Sequence, residues 1–405
     1  MRVSRYAAFV VPAALVTAGL LACGDDPSAT ETSTSPDASD ADAGPEVDAT
    51  DDADTSDAGS DADASVPPKT CSDEGWCHTP VPPGQVLRDV WSDAAGGAWA
   101  VSDQGAVLRY DGKAWTVVHT RVATNAKLFS IWGSSPTDIW IGAYGAILHG
   151  TGTTPASITF SEQTLDELAA GAGAVSIYGT SNTDVFAAVG TAVLHLGDDG
   201  AGWKVDPVTT EIAGKAVAAW GRAGTSDVWI STMNTATQTA VLFHRNGGAS
   251  SPFSAVPGVS DVTYFNPRRA CATPGEPQRG WMVDDHTIWL VGTRVNFGTP
   301  CYYAFRGVQS PDAGAMDAGA FAFDITVFYD EPYFGQNDIW GTSPNDVWLA
   351  GQFGTLNHWD GTRWQLAAIT IDELPVKKNL NAIYGRGPGD IWVVGDGIAL
   401  HKGAP

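Results

Sequence analysis

The sequence predicts an all-β protein: a seven-bladed β-propeller of four-stranded antiparallel blades. Its 405 residues contain seven pairs of aromatic residues spaced eight or nine positions apart, set among short apolar runs that Gly, Pro, Asn and Asp divide. Such runs, with no helical period, are typical of strands, and a repeat of roughly 40 to 50 residues is typical of propeller blades. The pairs are Trp91/Trp99, Trp132/Trp140, Tyr178/Phe186, Trp220/Trp229, Trp281/Trp289, Trp340/Trp348 and Tyr384/Trp392.

Each repeat divides into four predicted strands. The first strand ends at the first aromatic residue of the pair, and the second strand starts at the second aromatic residue. The third ends in Leu-His or a close relative, after which dipeptides such as Asp111-Gly112 and Asp360-Gly361 supply the positive φ that a tight hairpin needs. The fourth opens with a tryptophan such as Trp115 or Trp364. Because the rings of a pair face each other across a hairpin, we expect most of them in the core.

The spacing of the repeats locates an expanded fifth unit. Successive second aromatic residues are 41, 46, 43, 60, 59 and 44 positions apart, so the unit around Trp281/Trp289 carries additions on both sides. We predict inserted loops at residues 259–278 and 308–318. The seventh unit has three strands before the sequence ends, and an isolated segment around Trp76 precedes the first unit. We therefore predict that this segment completes the last blade, beside residues 398–401, and removes two exposed sheet edges.

The N-terminus has the parts of a bacterial export signal. Arg2 and Arg5 precede an apolar run of about 16 residues, shorter than the roughly 20 that span a bilayer. The run ends Leu20-Leu21-Ala22-Cys23, which resembles the lipobox of bacterial lipoproteins. This resemblance implies a signal peptide over residues 1–22, acylation (palmitate included) at Cys23, and, because Gly24 follows, sorting to the outer membrane. An ordinary signal peptide or an anchoring helix is the alternative.

Residues 23–70 are predicted to be a disordered acidic tether. From Asp25 to Val66 the chain has 12 Asp, 2 Glu and no Lys or Arg, a charge of −14, while residues 67–405 carry −12 of the total of −24. Self-repelling charge extends a linker, and this composition does not form a core. Calcium binding is an alternative that lacks the glycine and closing Glu of a calcium loop. The acidity argues against nucleic acid as a partner.

Four cysteines remain if Cys23 carries lipid. An exported chain meets an oxidising compartment, so Cys71, Cys77, Cys271 and Cys301 are expected to form disulfides. Three connectivities are possible, and we favour Cys71 with Cys77 and Cys271 with Cys301 because each pair is close in sequence. Metal binding is the rival interpretation, although the C-x-x-C spacing of zinc sites is absent.

The repeat resembles that of a known group of proteins. The pattern Ile/Val-Trp-Gly-x-x-x-x-Asp-Ile/Val-Trp, then Gly-x-Ile-Leu-His, then Asp-Gly-x-x-Trp, is similar to the repeat of secreted β-propeller lipoproteins of Gram-negative bacteria, and more distantly to BNR/Asp-box and Ycf48-type propellers. The resemblance covers residues 71–405. It implies a propeller in an exported, anchored protein, and the incomplete Asp-box argues against sialidase-like chemistry.

Residues that recur in the repeats are predicted to be structural. Five histidines close third strands, where they lie too far apart to share a metal, and five aspartates two positions before the second aromatic are predicted to bond backbone N–H groups in the first turn. No nucleophile elbow, His-Glu-x-x-His motif or phosphate loop is present, so we predict no metal, cofactor or catalytic residues. The histidines are His149, His195, His244, His358 and His401; the aspartates are Asp138, Asp184, Asp227, Asp346 and Asp390.

Candidate binding residues are those that differ between repeats. One set lies two positions before the first aromatic residue and is predicted to form an uneven ring at one channel mouth, unless these side chains only bond backbone between blades. A second set lies in the inserted loop of the fifth unit. The first set is Asp89, Ser130, Ser176, Ala218, Arg279, Asp338 and Asn381; the second is Tyr264, Phe265, Arg268 and Arg269.

These features favour a membrane-anchored, non-enzymatic binding or protein-interaction module whose ligand is a protein or a glycan. The first alternative is a polysaccharide-acting hydrolase or lyase with carboxylates at the channel mouth, which predicts two carboxylates of raised or split pKa facing one deep pocket. The second is a structural or assembly component of the cell surface, which predicts an interface in place of a pocket.

Overall fold

The fold is a ring of seven four-stranded antiparallel sheets, the blades, with one additional two-stranded ribbon. The computed structural model describes residues 70–93, 95–165, 173–197, 202–248, 250–259, 275–296, 299–309, 321–327, 335–371 and 374–403. The predicted seven-bladed propeller is confirmed. Within these ranges no helix has the length and apolar character needed to cross a membrane.

The strands follow one another around the ring in chain order. The first seventeen are β1 (Trp76–His78), β2 (Leu87–Ser92), β3 (Ala98–Ser102), β4 (Ala106–Tyr110), β5 (Trp115–Thr120), β6 (Leu128–Ser135), β7 (Asp138–Ala143), β8 (Ala146–Thr151), β9 (Thr159–Thr164), β10 (Val175–Ser181), β11 (Asp184–Val189), β12 (Ala192–Leu196), β13 (Trp203–Val205), β14 (Gly214–Trp220), β15 (Val228–Asn234), β16 (Thr239–Arg245) and β17 (Ser254–Val256). The others are β18 (Glu276–Asp284), β19 (Thr287–Asn296), β20 (Thr299–Gln309), β21 (Phe321–Val327), β22 (Gln336–Ser343), β23 (Asp346–Gly351), β24 (Leu356–Trp359), β25 (Trp364–Leu366), β26 (Thr370–Ile371), β27 (Leu374–Pro375), β28 (Leu380–Gly387), β29 (Asp390–Gly395) and β30 (Ile398–Gly403).

Blades 1 to 6 are consecutive groups of four strands, starting at β2, β6, β10, β14, β18 and β22. Blade 7 has the order β1-β30-β29-β28, and β26 with β27 forms the ribbon. Short 3-10 helices occur at Pro155–Ser157, Pro207–Glu211 and Gln352–Gly354.

The aromatic pairs are cross-strand pairs, as predicted. In every blade the first aromatic residue lies directly opposite the second, as Trp91 does to Trp99 and Trp340 to Trp348. All seven second members are buried, whereas Trp132, Trp281 and Tyr384 among the first members keep partial exposure. The predicted Asp-Gly turns are also present, with φ of 93° at Gly112 and 95° at Gly361.

Neighbouring blades meet where an aromatic ring of one lies over a glycine of the next. A Cβ added to Gly221 in blade 4 would lie 2.5 Å from the Tyr178 ring of blade 3 and 2.2 Å from the carbonyl oxygen of Asp227. The Trp132 ring lies over Gly179 in the same way, with 2.7 Å left for a Cβ. The aromatic-Gly dipeptide of the repeat therefore makes contacts in two directions. Its ring packs on the glycine of the following blade, and its glycine contacts the ring of the preceding blade.

Strand β1 is the outer strand of blade 7 and joins the N-terminal part of the chain to the C-terminal one. Trp76 lies opposite Lys402, one residue beyond the predicted stretch, and Cys77 lies opposite His401. The Trp76 ring is 1% exposed and meets the Trp348 ring of blade 6 edge-on, with 5.3 Å between centroids. The predicted Cys71–Cys77 disulfide is present and closes a hairpin around this strand.

Blade 5 has the longest strands in the described part of the chain, β19 with 10 residues and β20 with 11. The prediction that an inserted loop runs to residue 278 was wrong at its end, because the first strand of the blade begins at Glu276, and Glu276 and Pro277 already pair with β19. That strand alternates buried and part-exposed residues, which suits an inner strand beside the channel. Most of the two predicted insertions lies outside the described residues.

We predict that Gly221→Ala lowers the free energy of unfolding by about 1–3 kcal/mol, the usual cost of overpacking, because the added methyl group meets both a ring and a backbone oxygen. Gly248→Ala is the control, since a Cβ there meets no atom within 4 Å. Urea unfolding followed by tryptophan fluorescence measures both. Equal midpoints for the two variants would contradict the packing argument.

Candidate functional site

Three cavities lined by described residues lie in series along the channel of the propeller. A central chamber of about 90 Å³ lies between a recess of about 230 Å³, at the mouth where the first strands begin, and one of about 450 Å³, at the mouth where they end. We call these the strand-start recess and the hairpin recess. Ser176 and Arg279 line both the chamber and the strand-start recess, whereas Ala223, Trp281 and Tyr384 line both the chamber and the hairpin recess.

The two carboxylates of the predicted ring bridge neighbouring inner strands. Asp89 accepts hydrogen bonds from its neighbour Val90 N–H and from Ile131 N–H in blade 2, each at 2.9 Å. Asp338 repeats this geometry, accepting from Ile339 N–H and from Ile383 N–H in blade 7, again at 2.9 Å. Each carboxylate thus holds the start of the first strand in the following blade.

The serines bridge blades in the same way with one hydroxyl group. Ser130 donates to the Val175 carbonyl oxygen at 2.7 Å and accepts from Ile177 N–H at 3.1 Å, both in blade 3. Ser176 accepts from Ala219 N–H of blade 4 at 3.1 Å. These hydrogen bonds are the backbone contacts between blades that the sequence analysis gave as the alternative to a ligand-binding ring. A ligand role for the ring residues stays a prediction.

Of the remaining ring members, Arg279 reaches across the axis and Asn381 contacts the adjacent blade. Arg279 of blade 5 has its Nε 3.9 Å from Asp338 Oδ1 and its Nη2 3.5 Å from the Phe129 carbonyl oxygen of blade 2. Asn381 donates to the Leu87 carbonyl oxygen of blade 1 at 2.8 Å. Arg279 therefore crosses the channel and separates the chamber from the strand-start recess, while Ala218 offers no polar group at its position.

The chamber disfavours ionised carboxylates. Burial raises the pKa of Asp338 to about 7, against the nearby positive charge of Arg279, and the negative charge of Asp89 adds to the rise. Burial likewise raises the pKa of Asp89, again opposed by Arg279 and by the two backbone N–H donors. Two carboxylates of raised pKa thus face one cavity, which is the feature expected of a hydrolase site.

The size of the chamber limits what those carboxylates can act on. Ligand pockets usually measure about 300–1,000 Å³, and the chamber has about 90 Å³. That volume suits a few water molecules, each of which occupies about 30 Å³ in the liquid. Acid and base groups are therefore present at the axis without room for a sugar chain between them.

The hairpin recess is the axial cavity of ligand size. Its wall is an arc of four blades, from blade 4 to blade 7, and it combines aromatic rings with two arginines, Arg222 and Arg386. Both arginines stand two positions after the first aromatic residue of their blade, where blade 2 has Ser134 and blade 6 has Thr342. The predicted binding ring lies at the opposite end of the same strands, so the sequence prediction did not include these two arginines. Their variation from blade to blade is the signal in the sequence that distinguishes them.

The repeated histidines and aspartates form five separate pairs, one to a blade. Each histidine stacks on the second aromatic residue and bonds through Nε2 to the aspartate, as His195 does with Phe186 and Asp184 at 2.7 Å. The expectation that these aspartates bond turn backbone was wrong, because the aspartate and the histidine lie on one face of adjacent strands, diagonally across the ladder. The pairs are His149–Asp138, His195–Asp184, His244–Asp227, His358–Asp346 and His401–Asp390.

The pair in blade 3 extends into a buried network. Arg245 of blade 4, 1% exposed, bonds Asp184 through both Nη atoms and stacks over the Phe186 ring at 4.5 Å. Burial opposes ionisation of Asp184, but hydrogen bonds from His195, Arg245 and Thr180 outweigh it and hold the pKa of Asp184 below its usual range. This network is a structural joint between two blades. No group of three or more potential metal ligands occurs among the described residues.

Several predicted site residues lie outside the described residues. These are Cys23, the loop residues Tyr264, Phe265, Arg268 and Arg269, and Cys271, while of Cys301 only the backbone strand is described. The second predicted disulfide, the lipid attachment site and the loop-binding hypothesis therefore stay predictions.

Comparison with known proteins identifies the fold. A scan against protein-family models and a search of curated proteins found no match. Among solved structures, Ycf48 bound to a D1 peptide is 17% identical, with a TM-score of 0.54 over 82% of this chain and 97% of that chain. Virginiamycin B lyase from Staphylococcus aureus is 14% identical, with a TM-score of 0.57 over 80% of this chain and 98% of that one.

The extracellular domain of a one-component system from B. thetaiotaomicron is 12% identical, with a TM-score of 0.56 over 80% of this chain and 40% of that chain. The predicted likeness to Ycf48-type propellers thus holds for the architecture. At these identities the likeness concerns the fold, and the three proteins have different roles.

We predict that the raised pKa of Asp338 makes stability depend on pH. An unfolded Asp loses its proton near pH 4, whereas Asp338 in the folded chain keeps its proton to about pH 7. The folded state then binds more protons, so stability falls as pH rises between these values. Relative to Asp338→Asn, the wild-type free energy of unfolding should decrease by at most roughly 4 kcal/mol from pH 4.5 to 7.5.

The control for this experiment is Glu211→Gln, at an exposed position of the 3-10 helix Pro207–Glu211. Urea titrations at several pH values measure all three proteins. A difference between wild type and Asp338→Asn that stays constant with pH would contradict the assignment.

Proposed function

We propose that this chain is an exported, lipid-anchored and non-enzymatic binding module that takes its ligand at the hairpin mouth of the channel. One observation carries the proposal: the hairpin recess has the volume of a ligand pocket, about 450 Å³, and its charged side chains, Arg222 and Arg386, are ones that the other blades lack at this position. Residues that hold blades together recur in most blades, as the His–Asp pairs do. Each arginine contacts the following blade through one nitrogen only, so its remaining N–H groups are left for a ligand.

The neighbouring structures support a binding role without defining the ligand. Ycf48 has been solved with a D1 peptide bound, so a propeller of this architecture can hold a protein segment. A broad, stiff set of loops on a rigid scaffold suits recognition. A protein or a glycan is accordingly the class of ligand that we propose, as a partner in addition to the membrane.

A hydrolase or lyase is the second candidate, and a specific observation favours it. Asp89 and Asp338 face one chamber with raised pKa values, and the lyase from Staphylococcus aureus shares the architecture. Against it stands the chamber volume, together with the backbone hydrogen bonds that already occupy both carboxylates. An assembly role at the cell surface is the third candidate, which would use an extended interface.

The full-length protein, immobilised and exposed to a glycan array and to proteins of the cell surface, tests the proposal. We expect retention of a specific ligand with no change in the ligand, and retention should weaken when Ala223→Trp, at an exposed position of the lining, fills the hairpin recess. Release of a shortened product would overturn the non-enzymatic assignment. Specific retention that Ala223→Trp leaves unchanged, in a variant that keeps its fold, would place the binding surface elsewhere.

We predict that Cys23→Ser prevents anchoring, because the lipid is attached through the thiol sulfur. Metabolic labelling with a palmitate analogue should mark the wild-type protein and not the variant, and the variant should move from the membrane fraction to the soluble one. Cys71→Ser is the control, since that cysteine belongs to the propeller disulfide and not to the lipobox. Labelling of Cys23→Ser would contradict the lipoprotein assignment.

A further inference from the structure

The hairpin recess has an unusual charge for this protein. Its only charged lining residues, among those the structure describes, are Arg222 and Arg386, one at each end of the arc of blades. The whole chain carries a net charge of −24. The carboxylates that contact these arginines, Asp285 and Asp390, lie outside the lining, so the recess itself presents cationic groups within an acidic protein. Such a surface favours a negatively charged ligand group, because that group meets repulsion elsewhere on the protein.

Both guanidinium groups are held in place through one nitrogen. Arg222 Nη1 lies 2.6 Å from Asp285 Oδ1, and Arg386 Nη1 donates to the Asp93 carbonyl oxygen at 2.5 Å and lies 3.8 Å from Asp390 Oδ2. Within the described part of the chain, their other nitrogens donate no hydrogen bond, and the side chains keep 32% and 37% of their surface exposed. Each arginine is thus oriented and still has N–H donors for a planar, two-oxygen anion such as a carboxylate.

The recess also offers aromatic surface. Trp281 and Tyr384 are both part-exposed, and their rings meet at 89° with centroids 6.0 Å apart. Trp281 Nε1 donates to the Gly341 carbonyl oxygen at 2.7 Å, which fixes the orientation of its ring. Two fixed rings at right angles form an apolar corner, which suits a ligand with a flat, ring-shaped body.

We propose that the hairpin recess binds an acidic oligosaccharide, with the carboxylates of its uronic acid residues on Arg222 and Arg386 and a sugar ring in the corner of Trp281 and Tyr384. This inference rests on the proposed binding function and names its ligand class. A neutral sugar would fit the rings and leave the unused N–H groups of the arginines without a charged acceptor. An acidic peptide without rings would pair with the arginines and leave the aromatic corner open.

The test uses full-length protein, isothermal titration calorimetry and three probes. These are a tetragalacturonate, the same tetramer with its carboxylates reduced to alcohols, and a tetra-aspartate peptide. We expect the tetragalacturonate to bind at least about tenfold more tightly than either of the others, because a hydrogen bond to a charged group contributes about 1.5–3 kcal/mol. Its affinity should also fall as salt is raised.

Variants locate the site. Arg222→Gln should weaken tetragalacturonate binding by roughly tenfold or more, whereas the matched control Arg363→Gln, at a position 74% exposed on blade 6 and outside the recess, should not change it. Thermal unfolding of each variant verifies the fold. Trp281→Leu should weaken the tetragalacturonate as well and leave any tetra-aspartate binding unchanged.

The outcomes separate the ligand class from the function. Equal binding of the acidic and reduced tetramers, or a preference for tetra-aspartate, overturns the acidic-sugar assignment while leaving a binding function in place. Tetragalacturonate binding that survives Arg222→Gln overturns the location. If none of the three probes binds and the array also retains nothing, the proposed function itself fails.

Discussion

The contact between an aromatic ring and the glycine of the next blade is the constraint on which the propeller depends. A blade can approach its neighbour only as closely as the residue beneath the ring permits, and a hydrogen atom is all that fits at Gly221. This spacing sets how close neighbouring blades lie, and so whether a side chain of one inner strand can reach the next. The short reach of Asp89 and Ser130 to neighbouring inner strands is possible because the rings hold those strands close together.

The channel divides its chemistry between compartments. In the central chamber, burial raises the pKa of Asp338, and this carboxyl group already accepts hydrogen bonds from backbone N–H groups. At the hairpin mouth the two cations retain unused donors and the rings retain exposed surface. The engaged polar groups and the cations with unused donors therefore occupy opposite ends of the same strands, two residues before and two residues after one aromatic position.

The sequence allowed most of the fold to be predicted because the repeat samples the same geometry seven times. The spacing of Trp91 and Trp99 fixes a hairpin register, and the isolated Trp76 supplies an outer strand that blade 7 lacks. The His–Asp pairs were not predicted. The spacing of the repeats predicts the order of the strands, whereas a diagonal contact between side chains depends on how far adjacent strands are offset along their length. In retrospect the signal was present: where Arg109 and Arg306 replace the histidine, Gly97 and Thr287 replace the aspartate. The arginines of the hairpin recess could not be assigned to a cavity because cavity volume depends on how far the blades spread, which no residue pattern encodes.

The hairpin closed by Cys71 and Cys77 has a mechanical consequence. Any tension that reaches the domain through Thr70 arrives at the strand whose pairing with β30 joins the two ends of the ring. Without the crosslink, that tension would open the hairpin one residue at a time, starting at its first bond. With it, the load passes through the Cys71–Cys77 disulfide to the centre of β1 and bypasses the residues between the two cysteines. Tension at Thr70 therefore acts directly on a strand that its pairing with β30 and the buried Trp76 ring hold in place, at the junction where distant parts of the chain close the propeller.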